Sequence, residues 1–467
     1  MAMMTGDQYR ASLNDGRETY FEGRRITDLC ADPLFGLSVN TVAEQYDRFY
    51  SPEPDAVNEA MKAARSADEM REQIALRETV DMVTDLTYSS VMTLLTVADR
   101  IERELPENAE RMRAFVKDAQ QRDIRITECI TDSKGDRSLS PGKQHDPDQY
   151  VRVVERRDDG VVIRGAKLHI TGASLGHELL TIPTKRMKDG EEDYAIACIV
   201  PVNAPGVKIV NTTSYPRGPD VRHYPISGHT HMPEGFVIFD DVFVPQERVM
   251  LDGRPEFSAI FAHSLGLWIR LEGLIMMASD FDRLVGYAQL ITEANGLQRV
   301  SHIKDKIAEM VVNATLVHAS LEAAIANCTF GADGSAFPDE LFTNVGKYHA
   351  AANHSLMVRN LHDLAGGSIL TAPTIADFES EETGHLVRKY MGTRQDVDGL
   401  YRAKLFHAIR DMTADAHGGY LSVLNIQGGA GLYAQRVVAK ANYDIERAKR
   451  MALEHAHMTE YLETALA

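Results

Sequence analysis

The chain has 467 residues, with 50 Lys+Arg against 68 Asp+Glu for a formal net charge of −18 at pH 7, and 44% of its residues are hydrophobic. It is too apolar for a disordered chain, and its acidic excess argues against a nucleic-acid partner or an anionic membrane surface. The best apolar stretch, 265–279, is broken by Arg270 and Glu272, so there is no run of about 18 uncharged apolar residues to cross a membrane.

The opening MAMMTGD lacks the basic segment followed by an apolar one that marks a secretory signal. Residues from about 38 to 122 read as helices. Val80, Met82, Val83, Leu86, Thr87, Val91, Leu94, Leu95 and Val97 recur at steps of three and four, as one buried helical face requires. Pro106 marks a break, and 109–120 resumes the pattern. From about 124 to 250 the period becomes two. VRVVE (151–155) and VVIR (161–164) flank RRDDG (156–160), a hairpin signal because the closing glycine accepts positive φ. YAIACIVP (194–201) and GFVIFDDVFVP (235–245) are further strands, each ending on a proline that cannot donate to a ladder.

Helices return from about 256. In 300–328 the apolar positions Val300, Ile303, Ile307, Met310, Ala314, Val317, Leu321, Ala324 and Cys328 predict one long amphipathic helix. Residues 344–364 and 400–424 read similarly, 331–335 is a loop, and 371–399 is irregular. The order α, β, α places one β domain, a barrel or a sandwich, against a helix bundle. The expected divisions are 1–122, 123–254 and 255–467. Cys30, Cys129, Cys198 and Cys328 form neither a CxxC pair nor a disulfide framework, as expected of a cytoplasmic chain.

The most informative residues lie between 131 and 178. TDSKGDR (131–137) packs two acids, two cations and a glycine into seven positions, and GAKLHITGA (165–173) follows the hairpin. One reading is a charged turn and an ordinary strand end. The other is a cofactor cradle, in which Thr171, Gly172 and either Lys134 or Arg137 meet a planar ring whose reduced form carries negative charge. The glycines of DLAGGS (363–368) and QGGAG (427–431) read as helix C-caps or as points of close approach to a phosphate. Neither is a Rossmann fingerprint. His229 and His231, with His223 and Glu234 nearby, form a weak metal pattern in a loop that is more simply solvated. His302, His318, His349, His354 and His407 read as capping or surface residues, and Glu379, Glu381 and Glu382 as a solvated face.

These motifs, together with His177-Glu178, FDDVFVP (239–245), SHIKDK (301–306), Ala376-Asp-Phe378 and the opening MTGDQY (4–9), resemble the flavoprotein family that contains 4-hydroxyphenylacetate 3-monooxygenase and 4-hydroxybutyryl-CoA dehydratase, with the dehydratase branch the nearer. The resemblance implies an α+β, acyl-CoA-dehydrogenase-like fold. An N-terminal helical domain would be followed by a middle β-barrel domain and a C-terminal helical bundle with an oligomerisation tail. It further implies a homotetramer binding FAD, with Lys134, Asp136, Arg137, Thr171 and Gly172 on the flavin side and Gly366, Gly367, Gly428 and Gly429 as weaker candidates.

The departures narrow the function. The dehydratase's iron–sulfur ligands, three cysteines and a histidine, are matched here by Val83, Thr87, Ile269 and Met276, none of which supplies a thiolate or imidazole. No iron–sulfur cluster and no other metal is therefore expected. The Arg, Tyr and His with which the phenol hydroxylases grip their substrate are matched by Tyr88, Met92 and Glu128. Glu128, Tyr88 and Glu234 remain as candidate catalytic groups, with Glu234 matching an active-site glutamate of the dehydratase branch. A carboxylate in an apolar pocket has a raised pKa and can act as a base, whereas a purely structural Glu234 would cap the strand that starts at Gly235.

Three functions compete. The first is a monooxygenase receiving reduced FAD from a separate NAD(P)H:flavin reductase and oxidising a small, aromatic or biosynthetic-intermediate substrate through a flavin C4a-hydroperoxide. The absence of an NAD(P)H fingerprint and of the cluster ligands favours it. The second is a cluster-free isomerase, lyase or dehydrogenase acting on an acyl-CoA-type thioester. The third is a homologue that binds flavin or ligand without turnover.

Overall fold

The computed structural model describes residues 3–216, 218, 220–229, 232–393 and 396–462. Helices occupy both ends of the chain and strands its middle, as the change of period predicts. The N-terminal segment is not wholly helical, however. Glu18–Phe21 and Arg24–Ile26 form a hairpin whose turn residues, Glu22 and Gly23, both have positive φ (48° and 78°), the conformation that two-residue hairpin loops favour. Glu18–Phe21 then pairs in parallel with Val207–Thr212, so the first 30 residues complete a sheet built mostly from the middle of the chain.

Two sheets, not a closed barrel, make up the β region. The six-stranded sheet runs in the order Arg24–Ile26, Glu18–Phe21, Val207–Thr212, Glu234–Pro245, Gly160–Thr171, Arg152–Arg157. The four-stranded sheet runs Val249–Leu251, Ala197–Pro201, Glu178–Thr181, Ile126–Cys129. Cys129, Leu179, Cys198 and Val200 of the smaller sheet pack with Ile163, Val237, Phe239 and Val242 of the larger in one apolar layer, which is sandwich packing. Arg24 and Arg25 lie on one outer strand of the large sheet and Arg156 and Arg157 on the other, and charged edges of this kind resist further pairing.

The helical core is organised around Pro255–Ala294, which packs on Met82–Ile101, Ser301–Ala326 and Glu340–Ala365. One 18-residue window of this 40-residue helix has a mean hydropathy of 1.3, apolar and long enough to cross a membrane, yet 67% of that window is buried inside the protein. Trp268, at its centre, is fully buried and donates to Thr96 Oγ1 at 2.8 Å. Two later regions differ from expectation. Residues 371–399 contain the short helices Ile375–Glu379 and Gly384–Met391. The stretch 400–424 divides into Gly399–Thr413 and Ala416–Gln427 at Ala414-Asp415, where Asp415 pairs with Arg410 at 3.0 Å. That break re-aims the second helix toward the strands. The four cysteines are free.

Candidate active site

Residues 131–137 are anchored by a buried ion pair. Lys167 Nζ lies 2.8 Å from Asp132 Oδ1, both side chains 2% exposed, and also donates to the carbonyls of Ile130 and Ile182. Asp132 accepts the Val151 N–H. Beyond this staple the backbone turns through Lys134 (φ 70°) and Gly135 (φ 46°). Lys134 is half-buried, and burial together with the nearby Arg137 lowers its pKa. Among the described residues no carboxylate lies within ion-pair distance of it. Asp136 is exposed and accepts both the backbone N–H and the hydroxyl of Ser138, so its carboxylate serves the turn. Arg137 is exposed. Four positions on the strand separate Lys167 from Thr171, on the order of 10 Å, so the cation loop and the Thr171 end are neighbouring sites and not one point.

At the Thr171 end the two central strands place Thr171 opposite Glu234. The Thr171 hydroxyl lies 3.0 Å from Glu234 Oε1 and 2.9 Å from Oε2, and Tyr420 donates to Oε1 at 2.7 Å. Burial pushes the Glu234 carboxyl up to about 7, against the opposing effect of the Tyr420 and Thr171 hydrogen bonds. The Glu234 carboxylate thus ties the neighbouring strand of its own sheet to a distant helix. Gly172 follows with φ 65°, and a Cβ there would stand 2.5 Å from Val83 Cγ2. Only glycine meets both conditions without a shift.

A second group of buried ionisable side chains lies deeper. Arg77 pairs with Asp85, donates to Ser89 at 3.1 Å, and stacks 4.8 Å over the Tyr88 ring. Tyr88 in turn meets Trp268 edge-on at 5.9 Å, and burial pushes its phenol up to about 12. Among the described residues Glu128 takes only a long contact from Ser90 at 3.5 Å, and Glu272 one from Ser89 at 3.3 Å. Burial, reinforced by Asp85, raises both carboxyls well above the usual range. Among the described residues Asp85 alone is ion-paired with the Arg77 guanidinium, whose charge also acts on Glu128 and Glu272 from farther away. Glu272 also raises the Tyr420 phenol, which links this group to Glu234.

Of the sequence candidates, the fold brings Thr171, Gly172 and Glu234 together, and places Tyr88 and Glu128 beside the deeper group. Gly366 (φ 77°) caps the helix Glu340–Ala365 through its N–H to His362, and Gly367 follows it, both exposed. Gly428 caps Ala416–Gln427, while Gly429 (φ 72°) accepts from Arg270 Nε at 2.8 Å. These positions meet the C-cap reading, and Gly429 has a packing reason of its own. Val83 is buried, and the Thr87 hydroxyl is engaged by Val83 O and the Ile126 N–H. His223 accepts the Ile375 N–H at 3.0 Å and lies 5.0 Å from His407. His231 lies outside the described residues, among which no group of three or more His, Cys, Asp or Glu is placed to hold a metal. His354 and His407 are buried, contrary to their reading as capping or surface residues.

Tyr420, Arg77, Asp85 and Glu272 were not among the sequence candidates. A charge inside an apolar stretch was the available signal for Glu272, since only a partnered or functional acid persists there. Nothing local marks Tyr420.

The sequence matches the description "4-hydroxyphenylacetate 3-hydroxylase N terminal" over residues 5–251 and "4-hydroxyphenylacetate 3-hydroxylase C terminal" over 261–457. It is 26% identical to a 4-hydroxybutyryl-CoA dehydratase/vinylacetyl-CoA-Delta-isomerase of Clostridium aminobutyricum, covering 96% of this chain and 98% of that protein. It is 25% identical to the 4-hydroxyphenylacetate 3-monooxygenase oxygenase component of Geobacillus sp. (strain PA-9), covering 90% and 89%. Among solved structures, an oxygen-tolerant archaeal 4-hydroxybutyryl-CoA dehydratase from N. maritimus superposes with a TM-score of 0.87 at 27% identity, covering 98% of this chain and 95% of that one. The oxygenase component HpaB complexed with FAD superposes at 0.86 with 22% identity, covering 99% of both, and shares the fold. The chain belongs to the 4-hydroxyphenylacetate 3-hydroxylase family.

Proposed function

We propose that the protein is the oxygenase component of a two-component monooxygenase, using FAD reduced by a separate NAD(P)H:flavin reductase. The observation that carries this over the dehydratase reaction is the chemistry of Val83, Thr87, Ile269 and Met276, which cannot ligate iron as thiolate or imidazole would. Relatives named as oxygenase components support it.

The residues present fit a flavin. Lys134 is a half-buried cation with no carboxylate at ion-pair distance among the described residues, suited to an anionic group. Gly172 leaves the backbone bare at the end of the central strand. Thr171, Gly172 and Lys134 would hold the cofactor, with the exposed Gly366-Gly367 turn a further contact. When bound and reduced, FAD supplies the activation of oxygen.

Glu234 accepts a proton from the substrate, its carboxyl near 7 being matched to neutral pH. Tyr88, Trp268 and Met92 exclude water from the interior. Glu128 and Glu272, held toward their neutral forms by burial, can donate as well as accept a hydrogen bond toward a substrate beside them. The exposed Val423, Tyr433 and Val437 of the C-terminal helices suit burial in a homotetramer.

The test is to titrate purified protein with FAD, reduce it anaerobically, and admit oxygen with a panel of phenols and other electron-rich compounds. The expected result is FAD binding and an oxygenated product; oxygen consumption yielding only peroxide with every substrate would sink the reading. The acyl-CoA alternative draws on the dehydratase relative and on Glu234 as a base. It predicts binding of CoA esters and turnover without oxygen.

A further inference from the structure

We infer that Tyr420 is a positioning residue for Glu234. Its phenol reserves Oε1 as an acceptor, so that the proton Glu234 takes up is carried on Oε2. The inference rests on the reading of Glu234 as the proton-holding group.

The geometry is asymmetric. Oε1 faces the Tyr420 hydroxyl at 2.7 Å and Thr171 at 3.0 Å, whereas among the described residues Oε2 faces Thr171 alone, at 2.9 Å. The Thr171 hydroxyl has one proton and reaches both oxygens. Tyr420 has one proton and reaches one. A proton added to Oε1 would compete with the hydrogen bond Tyr420 donates there, whereas one added to Oε2 can be accepted by the Thr171 oxygen while Tyr420 goes on donating to Oε1.

Tyr420 stays a donor across the working pH range. Burial and the negative charges of Glu234 and Glu272 hold its phenol far above the ordinary value. Among the described residues the groups facing this carboxylate are few: Thr171 on the neighbouring strand, Tyr420 on Ala416–Gln427, and, beyond Tyr420, Glu272 on Pro255–Ala294. His417, on the same helix as Tyr420, stacks with it at 6.3 Å, and burial keeps that imidazole toward its neutral form.

The arrangement also joins two parts of the chain. Glu234 opens a strand and Tyr420 sits 186 residues later on the helix redirected at Ala414-Asp415. The orientation of the base toward the interior is thereby set by the helical bundle as well as by its own sheet.

The test is an infrared pH titration of the protonated carboxyl band, without substrate or turnover, with Glu234→Gln assigning the band. Tyr420→Phe removes the donated hydrogen bond to the charged form, and the Glu234 midpoint is expected to rise by about one pH unit. Replacing Tyr420 by difluorotyrosine keeps the shape and strengthens the donor, and should lower the midpoint; it serves equally if the phenylalanine variant fails to fold. An unchanged midpoint in whichever of these variants folds overturns the inference. Turnover assays on the same proteins separate the two readings. If Glu234→Gln leaves turnover intact while the infrared midpoint still moves, the role of Glu234 in the reaction fails and the positioning by Tyr420 stands.

Discussion

Asp132 and Lys167 meet 2.8 Å apart in the interior and tie the loop that carries Lys134 to the strand that carries Thr171.

Removing one member of this pair leaves an uncompensated buried charge. Lys167→Met is expected to destabilise the protein by about 3–5 kcal/mol. Lys167→Met with Asp132→Asn should recover part of that, because the amide retains the acceptor for the Val151 N–H. Urea denaturation of the two variants measures the difference, and equal midpoints would show that the ion pair is not the cause.

Gly172 predicts a separable pair of effects. A side chain in the left-handed region costs roughly 1–2 kcal/mol, and the new Cβ of Gly172→Ala also meets Val83. Adding Val83→Ala should restore the steric part and leave the conformational part. Thermal melts of the single and double variants decide the matter.

Glu234 makes stability depend on pH in a definite sense. Its carboxyl rises from 4.5 to about 7 on folding, so the folded state prefers the neutral acid. The contribution is fully present below pH 4.5 and is lost as the pH rises through 7. Glu234→Gln should therefore gain stability relative to the native chain across that window. Its turnover should fall by about a hundredfold or more if the carboxylate is the base, and the native rate should climb as the pH passes 7.

Glu128 and Glu272 carry the same sign. Each is raised by burial, so each favours folding below the ordinary carboxylate pKa and opposes it when ionised. Glu128→Gln and Glu272→Gln should raise the melting temperature more at pH 8.5 than at pH 5, with about 1 °C gained per kcal/mol relieved in a chain of this length. Arg77→Met is the counterpart. It strips Asp85 of its ion-pair partner and Glu128 and Glu272 of a nearby positive charge, and should destabilise by about 3–5 kcal/mol. Calorimetry across pH tests all three, and pH-independent changes would argue that the acids are already satisfied.

The local alphabet of this chain determined its texture. The stripe from Ile303 to Ala324 became a buried helix face, whereas Met82–Ile101 is buried on every side from Val83 to Ala98. The RRDDG hairpin turns at Asp158-Asp159, and Gly160 lies in the strand, without positive φ, where a Cβ would collide with Val244 O. The stripe and the hairpin depend on neighbours within one or two turns, and short-range sterics are enough to set them. The identities of Val83, Thr87, Ile269 and Met276 likewise stated which ligand chemistry is missing, since that needs only side-chain type. Strand neighbours were decided elsewhere. Glu18–Phe21 found Val207–Thr212 almost 190 residues away, and the strands formed two stacked sheets instead of one closed ring, because pairing between distant strands is settled by burial of both faces together. The hydrogen bond from Tyr420 to Glu234, and the gathering of Glu128 and Glu272 near the Arg77–Asp85 pair, also belong to tertiary structure. A carboxylate's pKa and partners depend on what surrounds it in three dimensions, and no periodicity along the chain records that.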